Sequence, residues 1–316
     1  MTSFQPVILS EAEVRSLMTR EDALKIVRDA FLAATSGNAR NFPVVREKLT
    51  GRVFGVKSAV DETRKVLGFK AGGAFPSNRV KGGLTHQSSV MLFDFETGHV
   101  RAIVAGNSIT ALRTAAASAL SIGLLARPDA RSLAVVGAGA LAEIHVRAAL
   151  DVRKFETVRV WGRTASRAEY LARSLEDICH CEATTDLKST VGLSDVVLTL
   201  TPSTEPLIDS EWIRPGTHLT CMGADTAGKQ EVDARLLTRA RIFTDDVEQA
   251  VTIGECQSAV RAGLLARRDI VGTLGDVLSG AHAGRTNRDE ITLFDGTGIA
   301  LQDLFAAQFV LDRLGA

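Results

Sequence analysis

Residues 135–150 read VVGAGALAEIHVRAAL. Two valines that close a buried run lead into glycines, and apolar residues then recur at helical spacing as Leu141, Ile144 and Ala148. In Gly137-x-Gly139-x-x-Ala142 the first small residue permits a tight turn. The second lets a diphosphate approach the backbone, and the third lets helix and strand pack closely. The N–H groups that open such a helix face the anion. The pattern therefore predicts a dinucleotide site between a strand and a helix of a parallel sheet; the alternative is a glycine turn in a doubly wound domain that binds no nucleotide. More than a hundred residues precede it and need an account of their own.

The text on either side of this turn differs. From Ser10 to Ala34 it reads as helix, with Ser10 and Glu13 spaced as a capping box and a second helix from Thr19. From Pro43 to Ile103 short alternating runs (VVREKL, RVFGVKSAV, VLGFKA, SSVMLFDF, VRAIVA) are broken by Gly, Asn and Asp, which predicts antiparallel sheet with a hairpin turn at residues 95–99. An Ala-rich helix is expected over residues 110–125. After Pro128 strands alternate with helices (SLAVVGAG, TVRVWGR, VGLSDVVLTLTP, HLTCMGAD, ARIFTDD, EITLFDGTG), the pattern of a parallel sheet covered on both faces. A last helix, IALQDLFAAQFVLDRL, ends the chain. A chain of 316 residues has room for two cores.

Charge excludes some functions. With 37 basic and 37 acidic residues there is no general pull toward nucleic acid or an anionic membrane. No apolar run is expected to reach the roughly 20 residues that span a bilayer, and the N-terminus lacks the pattern of a signal peptide, so a cytoplasmic location is the default expectation. Cys179-His180-Cys181 resembles a metal clip, but its spacing is too tight for zinc and no second ligand pair follows, so reduced thiols at a strand edge and no metal are expected.

Several side chains invite chemistry. At the end of TVRVW, where a carboxylate would hold the ribose 2′-OH of NAD, stands Gly162; Arg163, Thr164 and Arg167 offer a 2′-phosphate partner instead or merely a solvated helix start. The residues lean to NADP without excluding NAD. Arg113 lies in a segment otherwise of Ala, Ser, Thr and Leu, so its charge needs a partner: a bound carboxylate or an internal ion pair. Asp225 is read at the end of the strand HLTCMGAD, where ligands of open α/β sheets collect, or as a helix N-cap. His86 could shuttle a proton or meet a second carboxylate; the other histidines are read as structural or exposed.

Seven stretches carry a resemblance: GFKAGGAFPSN, GGLTHQSSVMLFDFETG, NSITALRTAAASAL, VVGAGALAEIHVRA, CMGADTAGKQEVD, ARIFTDDVEQA and LFDGTGIALQDL. In this order the chain resembles the ornithine cyclodeaminase/mu-crystallin family over nearly its whole length. The resemblance implies an α/β fold: a Rossmann dinucleotide-binding domain with a doubly wound parallel sheet (residues 116–292), inserted between the two parts of an α+β substrate-binding and dimerisation domain (1–115 plus 293–316). It implies a homodimer acting on a small imino acid or amino acid. Lys70 would be a substrate-site lysine, Arg46 and Arg113 would grip the carboxylate, and Asp225 would be catalytic. Thr85-His86-Gln87 matches the mu-crystallin and dehydrogenase branch rather than the cyclodeaminases, which adds His86 as a proton carrier and Gln87 as a substrate contact.

The candidate cofactor set comprises Thr85, Arg113 and Thr114; Gly137, Ala138, Gly139, Ala140, Leu141 and Ala142; and Gly162, Arg163, Thr164 and Arg167. It also takes in Thr201, Met222, Gly223, Ala224 and Asp225, with Thr297; the resemblance implies that Asp295, Gly296 and Thr297 lie beside the nicotinamide and the substrate, the alternative being that Thr297 or Asp295 caps the last helix. The expected activity is NAD(P)H-dependent reduction of an α-imino acid to an L-amino acid. Iminosuccinate is mildly favoured by Lys70, Ser77, Asn78, Lys81 and His86; the alanine- and proline-forming reactions are the other options. Ornithine-type cyclodeamination and a non-catalytic NADPH-binding protein are the rivals.

Overall fold

A computed structural model describes residues 5–315. The chain divides into two compact units: residues up to Arg113 together with those from Ile299 onward, and Thr114–Gly298.

The first unit starts with β1 (Val7–Leu9), α1 (Glu11–Leu17) and α2 (Arg20–Ala34). Both helices open on capping boxes, Ser10 with Glu13 and Thr19 with Asp22. β2 (Ala39–Asn41), β3 (Val45–Leu49), β4 (Arg52–Asp61), β5 (Val66–Ala74), β6 (His86–Phe93) and β7 (Val100–Ala105) follow. The sheet order is β1-β7-β6-β5-β4-β2, with β3 also on β4. Its pairings are antiparallel except for β1 on β7. Strands β1 and β2 escape a reading of the sequence because three residues are too few to show alternation.

One face of this sheet carries Val66 and Lys70 of β5 with Val90 and Leu92 of β6, all buried. The C-terminal helix (Ala300–Leu314) packs on β4, β5 and β6 and on α2. Gly68 permits that approach: a Cβ there would lie 2.2 Å from the Met91 carbonyl oxygen and 3.1 Å from the Leu304 side chain. The opposite face, with Phe54, Phe69, Met91, Ile103 and Ile8 in register, is only partly covered, and Ile8 is 71% exposed.

Helix α3 (Gly106–Leu125) starts four residues before the expected Thr110 and runs through the boundary between the units. It also corrects the expectation about apolar runs: at 20 residues it has the length and composition to cross a membrane, and it is the only such helix among the described residues. Most of it is buried in the protein.

The second unit holds β8 (Ser132–Val136), α4 (Ala142–Val152), β9 (Thr157–Trp161), α5 (Ala165–Arg173), β10 (Cys181–Thr184), β11 (Val196–Thr199), β12 (His218–Cys221), β13 (Ala240–Thr244), β14 (Ile270–Thr273) and β15 (Ile291–Asp295). All eight strands are parallel, in the order β10-β9-β8-β11-β12-β15-β13-β14. Alternation divides the core. Leu133, Val135, Val158, Val160 and Leu198 pack on one face with Val146 and Leu171, while Ala134, Val136, Val197, Leu219 and Leu293 face the other with Ile208 and Leu236.

The expected boundary at 292/293 lies too early. β15 is an inner strand of the second sheet, so residues 293–298 stay with that unit, as do Thr114 and Ala115.

Candidate functional site

In the first unit the site is built on β5. Lys70 faces the C-terminal helix, and its Nζ donates to Asp303 Oδ1 at 2.8 Å, lies 2.7 Å from Oδ2 and reaches Thr110 Oγ1 at 3.4 Å. Arg113 Nε donates to the same Asp303 Oδ1 at 3.1 Å, and its Nη1 to Gln302 Oε1 at 3.3 Å. Asp303 and Gln302 are fully buried. Two cations thus share one carboxylate, and the internal partner foreseen for Arg113 exists. Burial, helped by the Arg113 charge and opposed by Asp303, lowers the Lys70 ammonium to about 8. Burial raises the Asp303 carboxyl, but the Arg113 and Lys70 charges outweigh it and hold the group below its usual range.

Cross-strand register decides what else joins Lys70. Arg46 lies opposite Gly55, Gly55 opposite Gly72, Lys57 opposite Lys70, Gly72 opposite Ser88 and Ala74 opposite His86. Since paired residues share a face and alternate residues return to it, Arg46, Lys57, Lys70, His86 and Ser88 lie on one side of the sheet. The Arg46 charge also lowers Lys70. Gln87 pairs with Gly73 and so lies on the other side, exposed, its Nε2 donating to Leu84 O and its Oε1 accepting from Asn107. The resemblance implied a substrate contact for Gln87, and its side of the sheet is the one away from Lys70. Thr85, half-buried, precedes β6 and accepts at its carbonyl from Phe75 N. Asn78, half-buried in the turn Pro76–Lys81, donates to Leu84 O.

In the second unit the order of strands reverses between β8 and β11, the place where open parallel sheets bind ligands at their carboxyl ends. Gly137 follows β8 with φ 119°, and a Cβ there would crowd Leu200 O at 3.0 Å. Around Gly139 a Cβ would meet nothing within 4 Å, and Gly139, Ala140 and Leu141 are exposed. Leu141 stands at the N-cap of α4 without a side-chain cap, and Ala142 is buried beneath. An uncapped helix start beside open space suits a diphosphate. Gly162 packs against Ala138, while Arg163, Thr164 and Arg167 are exposed at the start of α5.

Loops beyond β11 and β12 are held by Glu231, a residue the sequence reading passed over. It accepts from Thr199 Oγ1 (2.6 Å), Thr201 N (2.6 Å), Thr201 Oγ1 (2.7 Å) and Gly223 N (2.8 Å). Glu255 in turn accepts from Glu231 N and Val232 N, both at 2.8 Å. Ala224 is buried, and Met222 lies against Gly296. Asp225 neither ends a strand nor caps a helix: β12 stops at Cys221, and Asp225 sits in the following loop, 2.6 Å from Lys229 Nζ. Thr297 donates its N–H and hydroxyl to buried Asp245, at 3.2 and 2.8 Å.

Asp295 closes β15, and Cys256 N donates to its Oδ2 at 3.0 Å. Burial raises its carboxyl to about 7, and raises Glu255 well above its usual range and Glu231 as well. The thiols also stay protonated: burial pushes Cys181, on edge strand β10, to about 12. His145 and His218 are core histidines bonded to Ser118 (2.8 Å) and Thr292 (3.0 Å). Among the described residues no three His, Cys, Asp or Glu side chains converge as metal ligands.

The Ornithine cyclodeaminase/mu-crystallin family model matches residues 4–316. The chain belongs to the ornithine cyclodeaminase/mu-crystallin family. Over 308 residues, 97% of the chain and 96% of the relative, it is 44% identical to the iminosuccinate reductase of Paracoccus denitrificans (strain Pd 1222). The crystal structure of the iminosuccinate reductase of Paracoccus denitrificans in complex with NAD+ superposes with a TM-score of 0.90 at 42% identity, covering 98% and 96% of the two chains. An archaeal alanine dehydrogenase dimer with bound NAD gives 0.92 at 31% identity over 98% and 95%. The Thermococcus litoralis Δ1-pyrroline-2-carboxylate reductase with NADH and L-proline gives 0.93 at 25% over 97% of each. The family's α/β architecture with a parallel sheet is thus that of this chain.

Two predictions follow from the buried charges. Asp303→Asn strands Lys70 and Arg113 without their counter-charge and should cost about 3–5 kcal/mol, read as a lower urea midpoint. Asp295 binds a proton more tightly folded than unfolded, so its contribution is complete below its unfolded value of 3.8 and is lost as pH rises to about 7. Asp295→Asn should flatten the fall in stability across that window by on the order of 4 kcal/mol, in unfolding curves collected from pH 4 to 8.

Proposed function

We propose that the protein is an NAD(P)H-dependent imine reductase that converts a small α-imino acid to an L-amino acid, with iminosuccinate the favoured substrate. The observation that carries this reading is the pair Lys70 and Arg113 on one buried carboxylate, in a chain that also has an open, uncapped glycine turn. Similarity to an iminosuccinate reductase over nearly the full length supports the choice of substrate.

Reduction adds a hydride to the imine carbon and a proton to the nitrogen. A nicotinamide dinucleotide bound at Gly137–Ala142 supplies the hydride. This chain's residues do the rest. Lys70 and Arg113 carry two positive charges against one on Asp303, so the three together favour one further anion, the α-carboxylate. The guanidinium presents a planar fork to it. Below about pH 8 Lys70 holds the proton that the imine nitrogen needs. Arg46 and His86, in register on the same face, supply a cation and a ring N–H for a second carboxylate. For Asp225 the resemblance implies a catalytic role, and the 2.6 Å ion pair with Lys229 gives its carboxylate a partner. At the 2′ end of the cofactor, exposed Arg163 and Arg167 support NADP, and the NAD+ in the Paracoccus denitrificans relative supports NAD.

The test is loss of reduced-nicotinamide absorbance with oxaloacetate and ammonium, compared with pyruvate and ammonium and with preformed pyrroline-2-carboxylate, each with NADH and NADPH. Turnover should be fastest with the dicarboxylate. Arg113→Met and Lys70→Met should each lower kcat/KM by about 100-fold, ~2.7 kcal/mol. Wild-type kcat/KM should fall above about pH 8 as Lys70 loses its proton. Turnover of cyclic imines alone would overturn the iminosuccinate assignment, and ammonia release from ornithine with catalytic NAD+ would make the protein a cyclodeaminase.

We also infer a homodimer through the partly covered face of the first sheet. Phe54 is 42% exposed there, Val45 56% and Ile8 71%, and the archaeal alanine dehydrogenase is a dimer. Sedimentation should give twice the chain mass, and Ile8→Asp with Phe54→Asp should give monomer. A wild-type monomer at micromolar concentration would sink this assignment.

A further inference from the structure

We propose that the second unit carries a separate binding site for a small phosphate-bearing anion, at the opposite edge of its sheet from the glycine turn. A cavity of about 550 Å³ is lined by four arginines, Arg127, Arg153, Arg285 and Arg288, and by one carboxylate, Asp129. Every one of these residues precedes a strand start: Arg127 and Asp129 before β8, Arg153 before β9, Arg285 and Arg288 before β15. Because the strands are parallel, this is the amino edge of the sheet, and Gly137 is at the carboxyl edge.

The four charges are unequally answered. Arg127 lies 2.6 Å from Asp195 and, through its Nε, 4.0 Å from Asp129, which also pairs with Arg288 and attracts Arg153. Arg153 and Arg285 make no ion pair among the described residues. Arg153 Nη1 donates to Pro128 O at 2.8 Å. Arg285 donates to Leu125 O, Glu290 O, Thr217 O and Thr292 Oγ1. Neutral oxygens fix a guanidinium without cancelling its charge. The last turn of α3 takes a share of it through Leu125 O. Glu290 takes another, though its carboxylate is engaged by Thr286 N at 2.7 Å and by the Thr286 hydroxyl. Burial and the neighbouring Arg127 charge hold Arg285 below its usual range despite Glu290.

Two donors in this cluster, Arg127 Nε and Arg153 Nε, are buried with no hydrogen-bond partner. Such groups are rare in folded proteins because each costs about 1–3 kcal/mol. An oxyanion with several acceptor oxygens answers both the missing bonds and the surplus charge. A phosphate group matches the guanidinium fork, and the cavity leaves room for an organic remainder.

The experiment is calorimetric titration of pyrophosphate into NADH-saturated protein at fixed ionic strength, with succinate as the control anion. One site is expected on the wild type, about tenfold weaker in Arg153→Gln/Arg288→Gln and unchanged in Arg163→Ala. No binding to the wild type, equal binding by the folded double variant, or equal binding of succinate overturns the proposal. Loss in Arg163→Ala overturns it too, since the anion would then sit at the 2′ end of the proposed dinucleotide site; the proposal holds or fails independently of the cofactor reading. Should the double variant not fold, Arg288→Gln alone, whose side chain is 68% exposed, takes its place with about threefold weakening expected, and unchanged affinity overturns the proposal.

Discussion

Asp303 is a carboxylate without solvent access that answers two cations at once, and the first unit is arranged around it. It joins three elements far apart in sequence: Lys70 on β5, Arg113 on α3 and its own C-terminal helix. The requirement runs both ways. Neither cation could be buried without the carboxylate, and the carboxylate could not be buried without them. Gly68 matters for the same reason, because it lets the helix approach closely enough to bring Asp303 onto Lys70. The result is a buried cluster with more positive than negative charge.

The second unit handles buried acids by other means. Glu231 is held by hydroxyl and amide donors from Thr199, Thr201 and Gly223, so it ties together the loops that leave β11 and β12. Those loops lie at the carboxyl edge beside the glycine turn: a Cβ on Gly137 would crowd Leu200 and Thr201. Asp295 and Glu255 have fewer donors, and burial raises both carboxyls, that of Asp295 to about 7. Buried acids held by neutral donors in one unit, and an ion-paired acid in the other, follow from what surrounds each carboxylate, not from residue type.

The parts of the fold that repeat were legible in the sequence. Alternation announced β3 to β7, and strand–glycine–helix text announced β8 and α4 with the open Gly139. What escaped depended on pairing between distant segments. Asp303 stood in plain sight in IALQDLFAAQF, a polar residue in an apolar helix, and the argument that demanded a partner for Arg113 applied equally to it. The two residues answer each other across 190 positions. The Thr85-His86-Gln87 motif takes in His86 and Gln87 together, yet strand alternation puts the two on opposite faces of the sheet. Asp225 was read as a strand end because MGAD continues an apolar run, but the ladder stops at Cys221. The boundary near residue 293 slipped because a strand's sheet is set by its partners and not by its own residues.

Equal numbers of acids and bases exclude a long-range field, and they conceal strong local ones. Lys70 and Arg113 share a single acid in one unit, and four arginines line one cavity in the other. A Debye length of about 8–10 Å confines each imbalance to its own neighbourhood, so the overall neutrality of the chain has little bearing on either. In a parallel sheet the two edges also differ in kind. Helix N-termini and their free N–H groups collect at the carboxyl edge, whereas helix C-termini collect at the amino edge and present carbonyls. An anion meets amides at the first. At the second, side-chain cations can hold it, and there Arg285 is fixed by the last carbonyl of α3, Leu125 O, and Arg153 by the loop carbonyl of Pro128.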